Sequence, residues 1–203
     1  DFALDLLKKE KYDHIIGVYG ALKFCKEQNI VPTRIVGDFD TDPEILTWYQ
    51  THTQIEIRQF NPVKDATDTQ IAIELAMELG SRKITLVGGT GTRLDHVLGN
   101  IQTLYLPFAK GIDCRIVDAH NRIRLVSGEL HLKMTEQWGK YVSLIPFTTD
   151  VEGVDLIGFK YPLEKFSFTV LGTGSRGVSN EIAEEEAVIR IEKGIMILVE
   201  SKD

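Results

Sequence analysis

The sequence predicts an α/β protein in two parts. An N-terminal, mainly parallel, Rossmann-like α/β domain spans residues 1–120, and a C-terminal antiparallel β-sandwich spans residues 121–203. Two observations predict this. Up to about His120, short apolar runs alternate with helix-length segments of 3.6-residue periodicity, the pattern of βαβ units. Beyond it, short apolar runs follow one another between Gly, Asp, Asn and Pro turns, with no convincing helix among them.

In order, Phe2–Lys9 reads as a short helix with Ala3, Leu4 and Leu7 on one side, and His14–Val18 as a buried strand. Ala21–Gln28 looks helical, and Pro32 interrupts the chain before the strand Arg34–Val36. Asp42-Pro43 reads as an N-cap with proline in the first helical position, launching Glu44–Thr51. Ile55 and Ile57 alternate with polar residues, as in an edge strand. Thr69–Leu79 places Ile71, Ala72, Leu75, Ala76 and Leu79 on a helical face that Gly80 ends. The strand Ile84–Val87 enters a glycine loop, the helix behind it runs to about Phe108, and Cys114–Val117 closes the first half. The expected strands of the second half are Ile123–Leu125, Leu130–Met134, Tyr141–Ile145, Val154–Ile157, Phe166–Val170, Val188–Ile191 and Ile195–Val199.

Lysine and arginine number 23 against 30 acidic residues, a net charge of −7. An acidic chain argues against nucleic acid as a partner, which would require a basic face. The two cysteines, Cys25 and Cys114, lack metal-ligand spacing, so free thiols in a cytoplasmic protein are expected. No apolar run approaches membrane-spanning length and no signal peptide is visible, so no membrane partner is expected.

The chemistry concentrates in Leu86-Val87-Gly88-Gly89-Thr90-Gly91-Thr92-Arg93-Leu94-Asp95-His96-Val97-Leu98-Gly99-Asn100. Glycines at a strand end let backbone N–H groups turn inward around an anion, and the following helix N-terminus adds positive potential. Arg93 supplies a fork suited to phosphate, while Asp95 and His96 suit a metal or a hydroxyl. Leu94 stands where a dinucleotide fingerprint needs a small residue, and the P-loop Gly-Lys-Ser/Thr is absent. A phosphate-handling site of another kind is implied.

Asp38 and Asp40, two apart after the second strand, point the same way in an extended segment and suit one Mg²⁺. Asp42 is better read as a helix cap. In Lys64-Asp65-Ala66-Thr67-Asp68, capping by Thr67 or Asp68 is the simpler role. A third carboxylate beside Asp38 and Asp40 would nevertheless complete a metal–triphosphate site, with Lys64 as a point charge. Gly177-Val178-Ser179-Asn180-Glu181 taken alone is an ordinary polar turn. His14, His52, His120 and His131 read as surface or packing residues, and Glu184–Glu186 as a solvated face.

Taken together these motifs resemble thiamine pyrophosphokinase. The resemblance rests on Gly37-Asp38-Phe39-Asp40-Thr41, on Lys64–Asp68, on Gly88–Asn100 with Arg93-Leu94-Asp95-His96, and on Ser179-Asn180-Glu181. It implies an ATP-binding α/β domain, a thiamine-binding β-sandwich, and a homodimer with composite sites. The implied reaction moves the pyrophosphoryl group of ATP to the hydroxyl of thiamine. Carried over, Asp38, Asp40 and Asp68 hold Mg²⁺ and the phosphates. Arg93 meets phosphate, and Asp95 faces the thiamine hydroxyl or the metal. Gly89, Gly91, His96 and Asn100 belong to the substrate-binding set, and Ser179 and Asn180 bond the aminopyrimidine. Tyr19 stands where the family carries an aspartate and is expected to pack over the nucleotide. Two other readings remain open at this point: a metal-dependent phosphoesterase using the Asp-His pair, and a nucleotide- or thiamine-binding protein without catalysis.

Overall fold

A computed structural model describes residues 2–38, 43–59 and 66–203. The chain divides into two compact units, Asp1–Ile84 with Ala109–Ile112, and Thr85–Phe108 with Asp113–Asp203.

The first unit begins with α1 (Phe2–Lys9). A three-stranded sheet of β1 (Ile16–Val18), β2 (Arg34–Gly37) and β3 (Glu56–Gln59) follows in that spatial order. Both pairings are parallel, with Gly17 opposite Ile35 and Ile35 opposite Ile57. The central strand is the apolar one, and Ile35 and Val36 are fully buried. The helix expected at Ala21–Gln28 is preceded by a 3-10 turn over Tyr19–Ala21, and α2 covers Leu22–Glu27. Helix α3 (Pro43–His52) packs Ile45 and Tyr49 against Leu22 and Ile35. Helix α4 (Asp68–Glu78) lays Ala72 and Leu75 on Val36, with Ile16, Val18 and Leu79 around them. Its N-cap is Thr67, whose hydroxyl accepts the Gln70 N–H at 3.2 Å. That assigns the cap to Thr67 and leaves the Asp68 carboxylate in the first helical turn, where a negative charge is favoured.

The second unit contains α5 (Leu94–Thr103), α6 (Tyr105–Phe108) and most of an eight-stranded sheet. Its strands are β4 (Lys83–Val87), β5 (Asp113–Val117), β6 (Asn121–Lys133), β7 (Tyr141–Pro146), β8 (Asp150–Ile157), β9 (Leu163–Thr169), β10 (Asn180–Glu181) and β11 (Glu186–Ser201). The main order is β10-β7-β11-β6-β5-β4, with β8 joined to β11 and β9 to β8.

Three expectations change here. The parallel sheet is smaller than the strand–helix alternation implied. β4 and β5 join the larger sheet instead, with β5 antiparallel to β6. The two short strands expected at 123–125 and 130–134 are one strand, and so are those at 188–191 and 195–199. Gly128 (φ 67°) and Gly194 (φ 99°) lie between the expected short strands, and their left-handed conformations bend the strands without ending them. The helix after the glycine loop also breaks at Leu104, before Pro107.

Strand β11 pairs antiparallel with β6 along both of its halves. On its other edge Val188–Ile191 pair with β8, while Met196–Ser201 pair with β7. The register shifts between Ile191 and Met196, so one strand serves two sets of neighbours. Its inward residues Ala187, Ile189, Met196 and Leu198 are fully buried, and they pack with Val142, Leu144, Val151, Val154 and Phe168.

Near the end of this strand sits Glu200, a carboxylate with no solvent exposure. The Arg122 guanidinium grips it with both arms, at 2.7 and 2.6 Å, and the Trp138 N–H donates at 3.2 Å. Two residues along β6, Arg124 has a buried Nε without a hydrogen-bond partner among the described residues. Burial first, and then Arg115 beside it, hold its pKa below the usual arginine value. Removing one partner of a buried, hydrogen-bonded ion pair leaves a desolvated charge, whereas Arg124 has only the electrostatic attraction of Glu200 and Asp113 to set against its burial and the repulsion of Arg115. Glu200→Gln is therefore expected to lose about 3–5 kcal/mol of stability in urea unfolding. Arg124→Met should lose much less, and equal losses in both variants would refute this account.

Candidate active site

Strand β4 delivers the chain to Gly88, whose φ of 80° is a left-handed turn that a side chain would strain. Gly89 follows, buried, where an added Cβ would approach Leu86 and Ile116 to 3.0 Å. Two side chains then fix consecutive loop residues. The buried Asn100 amide donates from α5 to the Gly89 carbonyl at 3.0 Å, and the Thr90 hydroxyl donates to Asp118 Oδ2 at 2.6 Å. Gly91 is exposed with open space around it. Arg93 occupies the N-cap position of α5 with an extended backbone and makes no side-chain cap bond. The helix thus starts next to a glycine loop with no bond from its N-cap side chain, while the Asp95 carboxylate draws on the His96 N–H of the first turn.

Arg93 and Asp95 meet in a bidentate pair, Nε to Oδ1 at 3.2 Å and Nη2 to Oδ2 at 2.5 Å, and both side chains are about two-thirds exposed. The hydrogen bond from Arg93 is the main reason the Asp95 carboxyl lies below its usual pKa. While so paired Asp95 is a weak proton acceptor; a phosphate that takes the arginine fork would release it. His96 is exposed in the same first turn.

Asp118 is a site residue that the sequence reading missed. Besides Thr90, it accepts the N–H groups of His120 (2.7 Å) and Asn121 (2.6 Å) and both bonds of the Asn121 amide (3.1 Å each). Burial raises its pKa, but the bonds from Thr90, Asn121 and the two N–H groups outweigh this and hold it below the ordinary value. The Asp-Ala-His-Asn stretch carries a turn signal, yet nothing in the sequence links it to Thr90.

Ser179 and Asn180 lie beside β7. Ser179 is exposed at φ 60°, and its N–H donates to Ser143 Oγ at 3.0 Å. Asn180 is buried and clamps one residue. Its Oδ1 accepts the N–H groups of Tyr161 (3.0 Å) and Glu181 (2.9 Å), and its Nδ2 donates to the Tyr161 carbonyl (2.8 Å).

The carboxylate set belongs to the first unit. Asp38 is half-buried directly after β2, and Asp68 opens α4. Asp40, Asp42 and Lys64 lie outside the described residues. Among those described, no three His, Cys, Asp or Glu side chains form a metal-holding group. The oxygen donors that are described suit a hard cation such as Mg²⁺. Tyr19 packs against the core of Leu22, Ile35, Ile45 and Tyr49.

A mixed α/β chain whose glycine loop is pinned by two side chains and followed by an arginine at the helix start has the features of a phosphate-handling enzyme. Comparison with known proteins makes this specific. Residues 5–116 match the family model for the thiamin pyrophosphokinase catalytic domain, and residues 128–196 that for the thiamin pyrophosphokinase vitamin B1 binding domain. Thiamine pyrophosphokinase of Bacillus subtilis (strain 168) is 34% identical over 194 residues, covering 93% of this chain and 87% of that one. The crystal structure of thiamin pyrophosphokinase from Geobacillus thermodenitrificans aligns with a TM-score of 0.84 at 30% identity, covering 98% of this chain and 91% of that chain. Yeast thiamin pyrophosphokinase shares the fold, with a TM-score of 0.80 at 16% identity, over 99% of this chain and 83% of that one. The chain belongs to the thiamin pyrophosphokinase family, a family of transferases. No described helix is long and apolar enough to cross a membrane.

The Asp118 geometry sets a pH dependence. Because its folded pKa is depressed, its contribution to stability is complete above the ordinary aspartate value, about 3.9, and is lost as pH falls through the lower folded value. The Tm gap between the wild type and Asp118→Asn should be widest near pH 7 and should shrink below about pH 4. A gap that stays constant with pH would show that the carboxylate charge does not matter.

Proposed function

We propose that this chain transfers the pyrophosphoryl group of ATP to the hydroxyl of thiamine, releasing AMP and thiamine diphosphate. The observation that carries this reading is the held glycine loop with Arg93 at the start of α5, in a chain matched by both family models. The implied architecture is a Rossmann-like ATP-binding domain over residues 1–120 and a thiamine-binding sandwich over 121–203. The enzyme would work in the cytoplasm as a homodimer with composite sites.

The hydroxyl oxygen of thiamine attacks the β-phosphorus, and the bond from that phosphorus to the bridging oxygen of AMP breaks. Such a transfer depends on positioning and charge neutralisation more than on covalent help from the protein. The loop N–H groups around Gly89 and Gly91 receive phosphate oxygens, and Arg93 exchanges its Asp95 partner for phosphate. The freed Asp95 faces the attacking hydroxyl and accepts its proton. His96 and Asn100 border the same loop, Asn100 through the Gly89 carbonyl. Asp38, Asp40 and Asp68 would hold Mg²⁺, which supplies neutralisation of the triphosphate charge when bound. On thiamine, the exposed Ser179 hydroxyl is the better contact. Asn180 has one remaining Nδ2 proton to offer, since Tyr161 and Glu181 take its other sites.

The test is AMP formation from ATP, Mg²⁺ and thiamine, in one-to-one yield with thiamine diphosphate and absent without thiamine. Thiamine-independent release of phosphate would favour a phosphoesterase, and binding of both ligands without AMP a non-catalytic protein. Asp40→Asn should lower kcat by roughly 10²-fold or more, the scale of losing a charge-stabilising group, while thiamine binding persists. Ser179→Ala should raise the KM for thiamine without changing Tm. Asn180→Ala should also lower Tm, because it removes the buried amide that holds the Tyr161 N–H and carbonyl.

A further inference from the structure

Asn100 and Asp118 grip neighbouring residues of the glycine loop from different elements, but Asp118 does so from a fixed base. Its Oδ1 is committed to the turn between β5 and β6 through the N–H groups of His120 and Asn121. That turn is fastened again by Asp118 N–H to the Asn121 carbonyl (2.9 Å) and by Lys202 N–H to the His120 carbonyl (3.0 Å). Its Oδ2 faces the loop and takes the Thr90 hydroxyl proton at 2.6 Å. A hydroxyl has one proton to give. With that proton on Asp118, Thr90 Oγ1 presents only lone pairs to anything else and cannot donate to a phosphate. The loop also needs holding, because glycine-rich backbone is the most costly to order. A tether from Thr90 to a carboxylate locked in a separate turn supplies that order before a ligand arrives.

We infer that Asp118 is a positioning residue for the phosphate-receiving loop, acting through Thr90. The loop's donors to the nucleotide are then its backbone N–H groups and not the Thr90 hydroxyl. The inference rests on the proposed reaction for its kinetic consequences, though not for the anchoring itself. Because a preorganised loop favours ground state and transition state alike, its loss registers in KM more than in kcat.

Thr90→Val is the decisive variant, since it removes only the hydroxyl and leaves the turn at Asp118 untouched. The expected result is a rise in the KM for ATP of roughly tenfold, the scale of one charge-assisted hydrogen bond. The kcat should change by less than about threefold, and the KM for thiamine should stay unchanged. Asp118→Asn should give the same KM shift, the double variant should be no worse than the more affected single, and Thr90→Ser should restore most of the affinity. Amide hydrogen exchange over residues 88–91, measured without ATP, should speed up in Thr90→Val. An unchanged KM for ATP, additive single effects, or a fall in Tm alone would overturn the inference. If the wild type forms no AMP, the proposed reaction fails. Loop exchange then still decides the anchoring: faster exchange supports it and unchanged exchange rejects it.

Discussion

Strand β11 is the constraint on which the larger unit depends. A buried strand must pair its backbone groups on both edges, because an unpaired N–H or C=O away from water costs as much as a lost hydrogen bond. β11 meets that demand with β6 on one edge and with β8 and then β7 on the other. The change of neighbour requires a shift between Ile191 and Met196, and Gly194 supplies the backbone freedom. Every inward residue on either side of the shift then reaches the same apolar cluster. The tight Arg122–Glu200 pair lies at the far end of this ladder, in register across β6 and β11.

The glycine loop depends on that sheet. β5 and β6 carry the turn containing Asp118, and Asp118 holds Thr90. Ile116 of β5 and Leu86 close the space beside Gly89, where a Cβ would approach both to 3.0 Å and force them to give way. A strand end, a turn and a helix side chain from three elements converge on two loop residues. The loop therefore has its shape before any ligand is present, which is the physical requirement for electrostatic preorganisation.

Much of this was legible in the sequence because it is local. Helices α3 and α4 lie within a residue or two of their expected limits, since proline at the start of one, and an N-cap and apolar face in the other, are short-range signals. The strand–glycine loop–helix unit follows from local pattern, whereas the Arg93–Asp95 pair does not: it forms because Arg93 stands at the extended N-cap position of α5. Strand continuity was not legible. Gly128 and Gly194 carry the same local signal whether they end a strand or bend it, and only the neighbours decide. The same holds for the sheet membership of β4 and β5.

By itself, then, the sequence determined what adjacent residues settle: a strand–glycine loop–helix unit, an arginine and an aspartate at the start of that helix, and the family these motifs resemble. Tertiary structure decided how those parts are held. Thr90 and Asp118 lie 28 positions apart, and Asn180 reaches Tyr161 across 19. No periodicity or motif encodes such pairs. They exist because strands and the turns beside them bring polar groups into partly buried places, where each must find a partner or pay its desolvation.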